Sequence, residues 1–161
     1  MATQTLYPDG TTFTITGLSG TVDDVNEAPD GTWLTSNASN STLRASFPTP
    51  LGDLNTGVGL QTLRVYVRKD ASGGGDPTVD IHLYENGTDL GVILADTAVT
   101  SATGVWVTAT FNASLLTNVD GSGVEIYCDG TKGGGGPNER NVEFDSIEFI
   151  ADYTPTVYEL D

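Results

Sequence analysis

The chain contains one histidine, His82, and one cysteine, Cys128, so nucleophilic catalysis by a serine or cysteine would have to rest on a single imidazole base. His82 lies within residues 78–85, TVDIHLYE, at a position of opposite parity to Val79, Ile81 and Leu83, and no nucleophile signature stands beside it. Cys128 shares the parity of Val124 and Ile126, which predicts a small buried hydrophobe rather than a reactive thiol. Carboxylates are far more plentiful, with 22 Asp and Glu. Hydrolysis by paired acids needs two of them across one cleft. The groups that fall together in sequence are Asp23, Asp24 and Glu27 in one loop, and Asp80 on the same outer face as His82. Exposed charges of this kind ordinarily serve solvation. No catalytic residue is assigned, and the expectation is a protein that is not an enzyme.

Ligand chemistry is similarly sparse. Gly73 to Gly75 and Gly133 to Gly136 superficially suggest phosphate cradles, but neither run opens a helix or carries the Lys-Ser/Thr of a P-loop. Both predict flexible loops. Asp120, Asp129, or Asp23 and Asp24 could contribute oxygen ligands to calcium, yet no EF-hand spacing exists. No metal and no cofactor is expected. Exposed aromatic platforms bind sugars, and Tyr84 and Trp106 have outward parity if Leu83, Val105 and Val107 are core, making them candidate glycan or subunit contacts. Trp33, beside Leu34 after a loop, reads as a core plug.

Acidic residues outnumber basic ones by 22 to 6, a formal charge of -16, so the molecule should repel phosphate backbones and anionic lipid headgroups. Neither nucleic acid nor membrane is an expected partner. A cation-rich protein surface fits better. The first residues, MATQTLYP, have no basic or long apolar run, so Sec export is not expected, and no segment approaches the length of a membrane span. At 161 residues the chain should form one domain burying roughly 70% of its unfolded surface.

The elements that would position these side chains are strands. Apolar residues alternate with polar ones in residues 11–18, 41–47, 60–69, 78–85, 105–111 and 124–128, with a short extended piece at 32–35 and a return strand at 90–94. Asn86-Gly87 predicts a two-residue hairpin. Asn112 can cap a single helical turn. In residues 141–153 the inward set is Val142 and Phe144, then Ile147, Phe149 and Ala151, a parity shift that predicts a β-bulge across Asp145 and Ser146. The expected fold is all-β: an antiparallel, jelly-roll-like β-sandwich of about eight strands. It spans residues 11–153. Residues 1–10 and 154–161 lack alternation and carry Pro8 and Pro155, predicting a flexible N-terminal arm and C-terminal tail that order on a neighbour.

The opening MATQTLYPDG, the block VNEAPDG at 25–31, LRVYVRK at 63–69, LYENG at 83–87 and GSGVE at 121–125 together resemble a family of phage and prophage virion β-sandwich proteins of the capsid decoration or cement type. The resemblance covers most of the chain and implies a structural virion protein on the outer surface of the capsid, made in the host cytoplasm. It implies a homotrimer whose partners are the major capsid protein and neighbouring copies of itself. Thr3, Thr5, Leu6 and Tyr7 of the arm are then the candidate capsid contacts. Because modules of this kind also decorate tails and fibres, a carbohydrate-binding or receptor-facing role is the alternative.

Overall fold

The period-two signal is carried through into three dimensions. In the computed structural model, which describes residues 1–155, the segment Gln61–Lys69 buries every odd-numbered side chain and leaves every even-numbered one half-exposed. Numbered along the chain, the strands are β1 (Ala2–Leu6), β2 (Phe13–Thr16), β3 (Leu18–Ser19), β4 (Thr35–Ser36), β5 (Ser41–Ser46) and β6 (Gly52–Leu54), followed by β7 (Gln61–Lys69), β8 (Thr78–Glu85), β9 (Thr88–Ala98), β10 (Val105–Phe111), β11 (Val124–Thr131) and β12 (Val142–Pro155). Helical structure among the described residues is confined to three short 3-10 turns. The one at Ala113–Leu115 is capped by the Asn112 side chain, which accepts from the Ser114 amide.

Two antiparallel sheets pack face to face as a β-sandwich. One has the order β1-β12-β7-β10, with β6 also on β12, and the other β2-β5-β11-β8-β9. The pairs β1–β12, β5–β11, β7–β10 and β8–β9 are nested one inside the next, the innermost being a β-hairpin. Its tip is the Asn86-Gly87 turn, where both residues have positive φ (48° and 81°), as a type I′ hairpin requires. Leu43, Ile81, Leu83 and Ile126 from one sheet meet Leu63, Val65, Phe144, Ile147 and Phe149 from the other in a single core. Phe149 stacks on Phe111 and tilts against Phe47.

Several expectations are corrected. Residues 1–10 are not a free arm: Ala2 to Leu6 form β1, in register with Tyr153 to Phe149, and Leu6 is 5% exposed. At the other end, Thr154 and Pro155 belong to β12 and pair with β6, while residues 156–161 of the expected tail lie outside the described residues. Val105, expected inward, is exposed at the start of β10. Trp33 is only half-buried, and it is Leu34 that is buried completely. The two glycine runs interlock: the Gly75 amide donates to the Asn138 carbonyl, and Gly133 and Arg140 exchange backbone hydrogen bonds.

The bulge falls where the parity shift predicts. Phe144 faces Val67 and Ser146 faces Tyr66, which leaves Asp145 as the extra residue of β12. It fastens a strap, residues 21–34, along the stretch of β12 that β1 does not reach. The Asp145 carboxylate accepts from the amides of Asp30 (3.3 Å) and Gly31 (3.0 Å), Ile147 donates to the Val25 carbonyl, and Leu34 exchanges backbone hydrogen bonds with Phe144. Val25 and Leu34, both at 0% exposure, fill the gap at the core edge. Burial holds the Asp145 carboxyl above the usual aspartate range, although the two amides pull the other way.

Candidate functional site

With the inner faces filled, functional side chains on a sandwich project from the outer faces or from the loops at its ends. Both outer faces here carry aromatic rings beside arginines, but the two are built differently.

On the β1-β12-β7-β10 sheet, the outward row of β7 is Arg64, Tyr66 and Arg68. Tyr66 sits between Trp33 (ring centroids 5.9 Å) and Trp106 (5.3 Å). Arg64 lies over the Trp106 ring at 4.0 Å and is held by Glu148 at 2.6 Å. Arg68 lies over Trp33 at 4.2 Å and is held by Glu143 at 2.8 Å. Each indole thus has a guanidinium on one face and a tyrosine beside it. These stacks are worth about 0.5–1 kcal/mol each at exposed sites, and they occupy the surface a ligand would need. Trp106, a candidate contact by parity, is therefore part of a closed ladder. Trp33 joins the same ladder instead of plugging the core.

On the β2-β5-β11-β8-β9 sheet the outward rows align across strands. One row runs Thr14, Arg44, Tyr127, His82 and Val92, and the next Ser46, Glu125, Tyr84 and Asp89. Tyr84 and Tyr127 stand nearly parallel, 21° apart with centroids at 5.4 Å, and His82 meets Tyr127 edge-on at 5.3 Å. Glu125, buried at 5% exposure, holds Arg44 through Nε at 2.5 Å and Nη2 at 3.3 Å. Arg44 also lies over the Tyr84 ring, but at 5.5 Å from the centroid it stands farther off than Arg64 from Trp106 at 4.0 Å. Thr14, Thr42, Arg44, Tyr84 and Tyr127 line a shallow depression of about 190 Å³. Burial, followed by the nearby Asp89 carboxylate, raises the Tyr84 phenol above its ordinary value.

The other residues singled out in the sequence are scattered. His82 Nδ1 lies 3.2 Å from the Asp89 carboxylate, and Asp80 accepts from the Asp96 amide instead of from His82. Asp24 accepts from the Thr21 amide and Asp120 from the Ser122 amide, both local turn contacts. Among the described residues no group of three or more His, Cys, Asp or Glu side chains is arranged to hold a metal. Of the expected capsid contacts, Thr3 and Thr5 point outward and are exposed, Leu6 is buried in the core, and Tyr7 is half-buried with its hydroxyl donating to Glu148 Oε1 at 3.4 Å. Tyr127, Arg44 and Glu125 were missed as a group. Their outward parity was visible, but their convergence was not.

Cys128 is fully buried between Leu43 and Ile81 on neighbouring strands, and burial pushes its thiol far above the ordinary cysteine range. In native buffer it should therefore resist iodoacetamide at pH 8 for hours, and label only as denaturant opens the sandwich. Rapid stoichiometric labelling of the native protein, followed by mass spectrometry, would contradict this placement.

No protein-family model matches the chain, and no curated protein sequence is significantly similar to it.

Proposed function

We propose that this protein is a structural subunit of a bacteriophage particle, a decoration or cement protein that binds the outer surface of the head and stabilises it. Three copies would sit about a local three-fold axis, contacting the major capsid protein and one another. The observation that carries this reading is the placement of charge. All six Lys and Arg side chains are engaged within the molecule: Arg44, Arg64, Arg68, Lys69 and Lys132 by Glu125, Glu148, Glu143, Asp76 and Glu139, and Arg140 by backbone carbonyls. Five of the 22 acids, Glu85, Glu125, Glu143, Asp145 and Glu148, are themselves buried, and the exposed remainder has little cationic relief. Such a surface suits a basic patch on a protein shell and opposes nucleic acid.

The nested strand pairing supports a jelly-roll winding, a rigid scaffold suited to repeated display. Weak acidic contacts repeated over many symmetric copies add to a stable layer. Purified protein added to phage heads that lack it should co-sediment saturably. The interaction should weaken steeply between about 0.01 M and about 1 M salt, as the screening length falls from about 30 Å to about 3 Å. Heads that fail to retain the protein at any salt concentration would remove the proposal.

A further inference from the structure

The outer face of the β2-β5-β11-β8 strands has the features of a sugar-binding site. We infer that the depression beside Tyr84 and Tyr127 binds a neutral hexose unit of an oligosaccharide, with the phenol rings as the stacking surface and Arg44 as the oriented hydrogen-bond donor.

Three features converge on this ligand class. The first is an available aromatic surface. A pyranose presents a face of polarised C–H groups, which the negative face of an aromatic ring attracts while both are removed from water. Trp106 and Trp33 on the opposite sheet already have a guanidinium on that face, at 4.0 and 4.2 Å. Over Tyr84 the Arg44 guanidinium stands farther off, 5.5 Å from the centroid, and among the described residues none lies over Tyr127.

The second is pre-organised polar chemistry. A guanidinium has five N–H donors, and Glu125 takes two of those on Arg44, one from Nε and one from Nη2. The pair fixes the guanidinium plane and leaves three donors for a ligand. Thr14 and Thr42 line the same depression with hydroxyls that both donate and accept. A few placed polar groups around an apolar surface are the usual construction of a small-molecule site, and about 190 Å³ accommodates one sugar ring rather than a long chain.

The third is charge. Asp80, Asp89 and Asp129 stand on the outward parity of β8, β9 and β11 around the tyrosines, and among the described residues the one cation lining the depression, Arg44, is already paired with Glu125. A uronic or sialic acid would meet net repulsion, whereas a neutral hexose would not.

This inference does not depend on the virion reading, because its test uses the isolated chain. Isotope-labelled full-length protein is titrated with neutral hexose oligosaccharides selected on a glycan array, and the amide and side-chain shifts are mapped. Saturable shifts confined to Thr14, Thr42, Arg44, Tyr84, Tyr127 and their neighbours are the expected result. Tyr127→Ala should weaken binding about tenfold, while Trp106→Ala leaves it unchanged, with circular dichroism confirming that each variant is folded. The mapping is made on the unaltered protein, so it stands even where a variant fails to fold. Shifts centred on Trp106, binding restricted to acidic sugars or to a quaternary ammonium probe such as choline, or no shift with any neutral glycan would each overturn the assignment.

Discussion

Deletion of residues 1–6 is expected to lower the free energy of unfolding by about 3–5 kcal/mol, the combined effect of losing a buried leucine and a run of ladder hydrogen bonds. Leu6 is buried against Phe149, and β1 is in register with β12 from Ala2↔Tyr153 to Leu6↔Phe149. Without β1, the backbone of β12 from Phe149 to Tyr153 becomes an open edge, and Phe149 and Ala151, both at 0% exposure, lose their cover on that side. Such an edge templates association. The truncated protein should show a lower urea midpoint and a greater tendency to aggregate. An unchanged midpoint would restore the picture of a loosely attached arm. The distinction bears on how a head contact would be made. A β-strand already paired within its own subunit is not a free arm to donate, so β1 would contact a shell through the exposed Thr3 and Thr5 or through the outer edge it presents as the end strand of its sheet.

Gly133→Ala and Gly135→Ala, two residues apart in one glycine run, are expected to differ in sign. A Cβ on Gly133 would lie 2.2 Å from the carbonyl carbon and oxygen of Asp76, backbone atoms that cannot move without shifting the loop leading into β8. Overpacking of this kind destabilises by about 1–3 kcal/mol. A Cβ on Gly135 meets nothing within 4 Å, and φ there is -158°, extended backbone open to any residue. Alanine at that position restricts the unfolded chain and should stabilise by about 0.4–1 kcal/mol. Paired thermal or urea denaturation curves read both effects. Equal behaviour of the two variants would mean that the run is a solvated loop after all. A matching effect is expected across the contact, because a Cβ on Gly75 would sit 2.3 Å from the Gly134 nitrogen.

These glycines show where sequence reasoning reaches its boundary. Strings such as GGG and GGGG look the same whether glycine is present for flexibility or because two backbones approach too closely for any side chain. The difference lies in a neighbour brought in from elsewhere in the chain. β1 was missed for a related reason. Its inward residues are Ala2, Gln4 and Leu6, so the apolar alternation is interrupted by a polar residue and the period-two signal is weak. β6 is only three residues long. The strap at 21–34 has no periodicity at all, and its attachment to β12 depends on Asp145, whose buried role is visible only once Asp30 and Gly31 are seen beside it.

The candidate site divides in the same way. The outward parity of Tyr84, Trp106 and Tyr127 follows from the alternation of their own strands. That Trp106 is capped closely and Tyr84 more loosely depends on Arg64 and Arg44, which come from other strands.

By itself, the sequence determined the all-β class, the long strands and the inward face of most of them, the hairpin at Asn86-Gly87 and the bulge at Asp145. Each is a local property, set by side-chain period and by residues that tolerate positive φ. Only the tertiary structure decided which strands lie side by side, and with that which carboxylate holds which arginine and how closely each aromatic ring is capped. Pairing joins residues as distant as Ala2 and Tyr153, and no local pattern encodes the partner across such a separation.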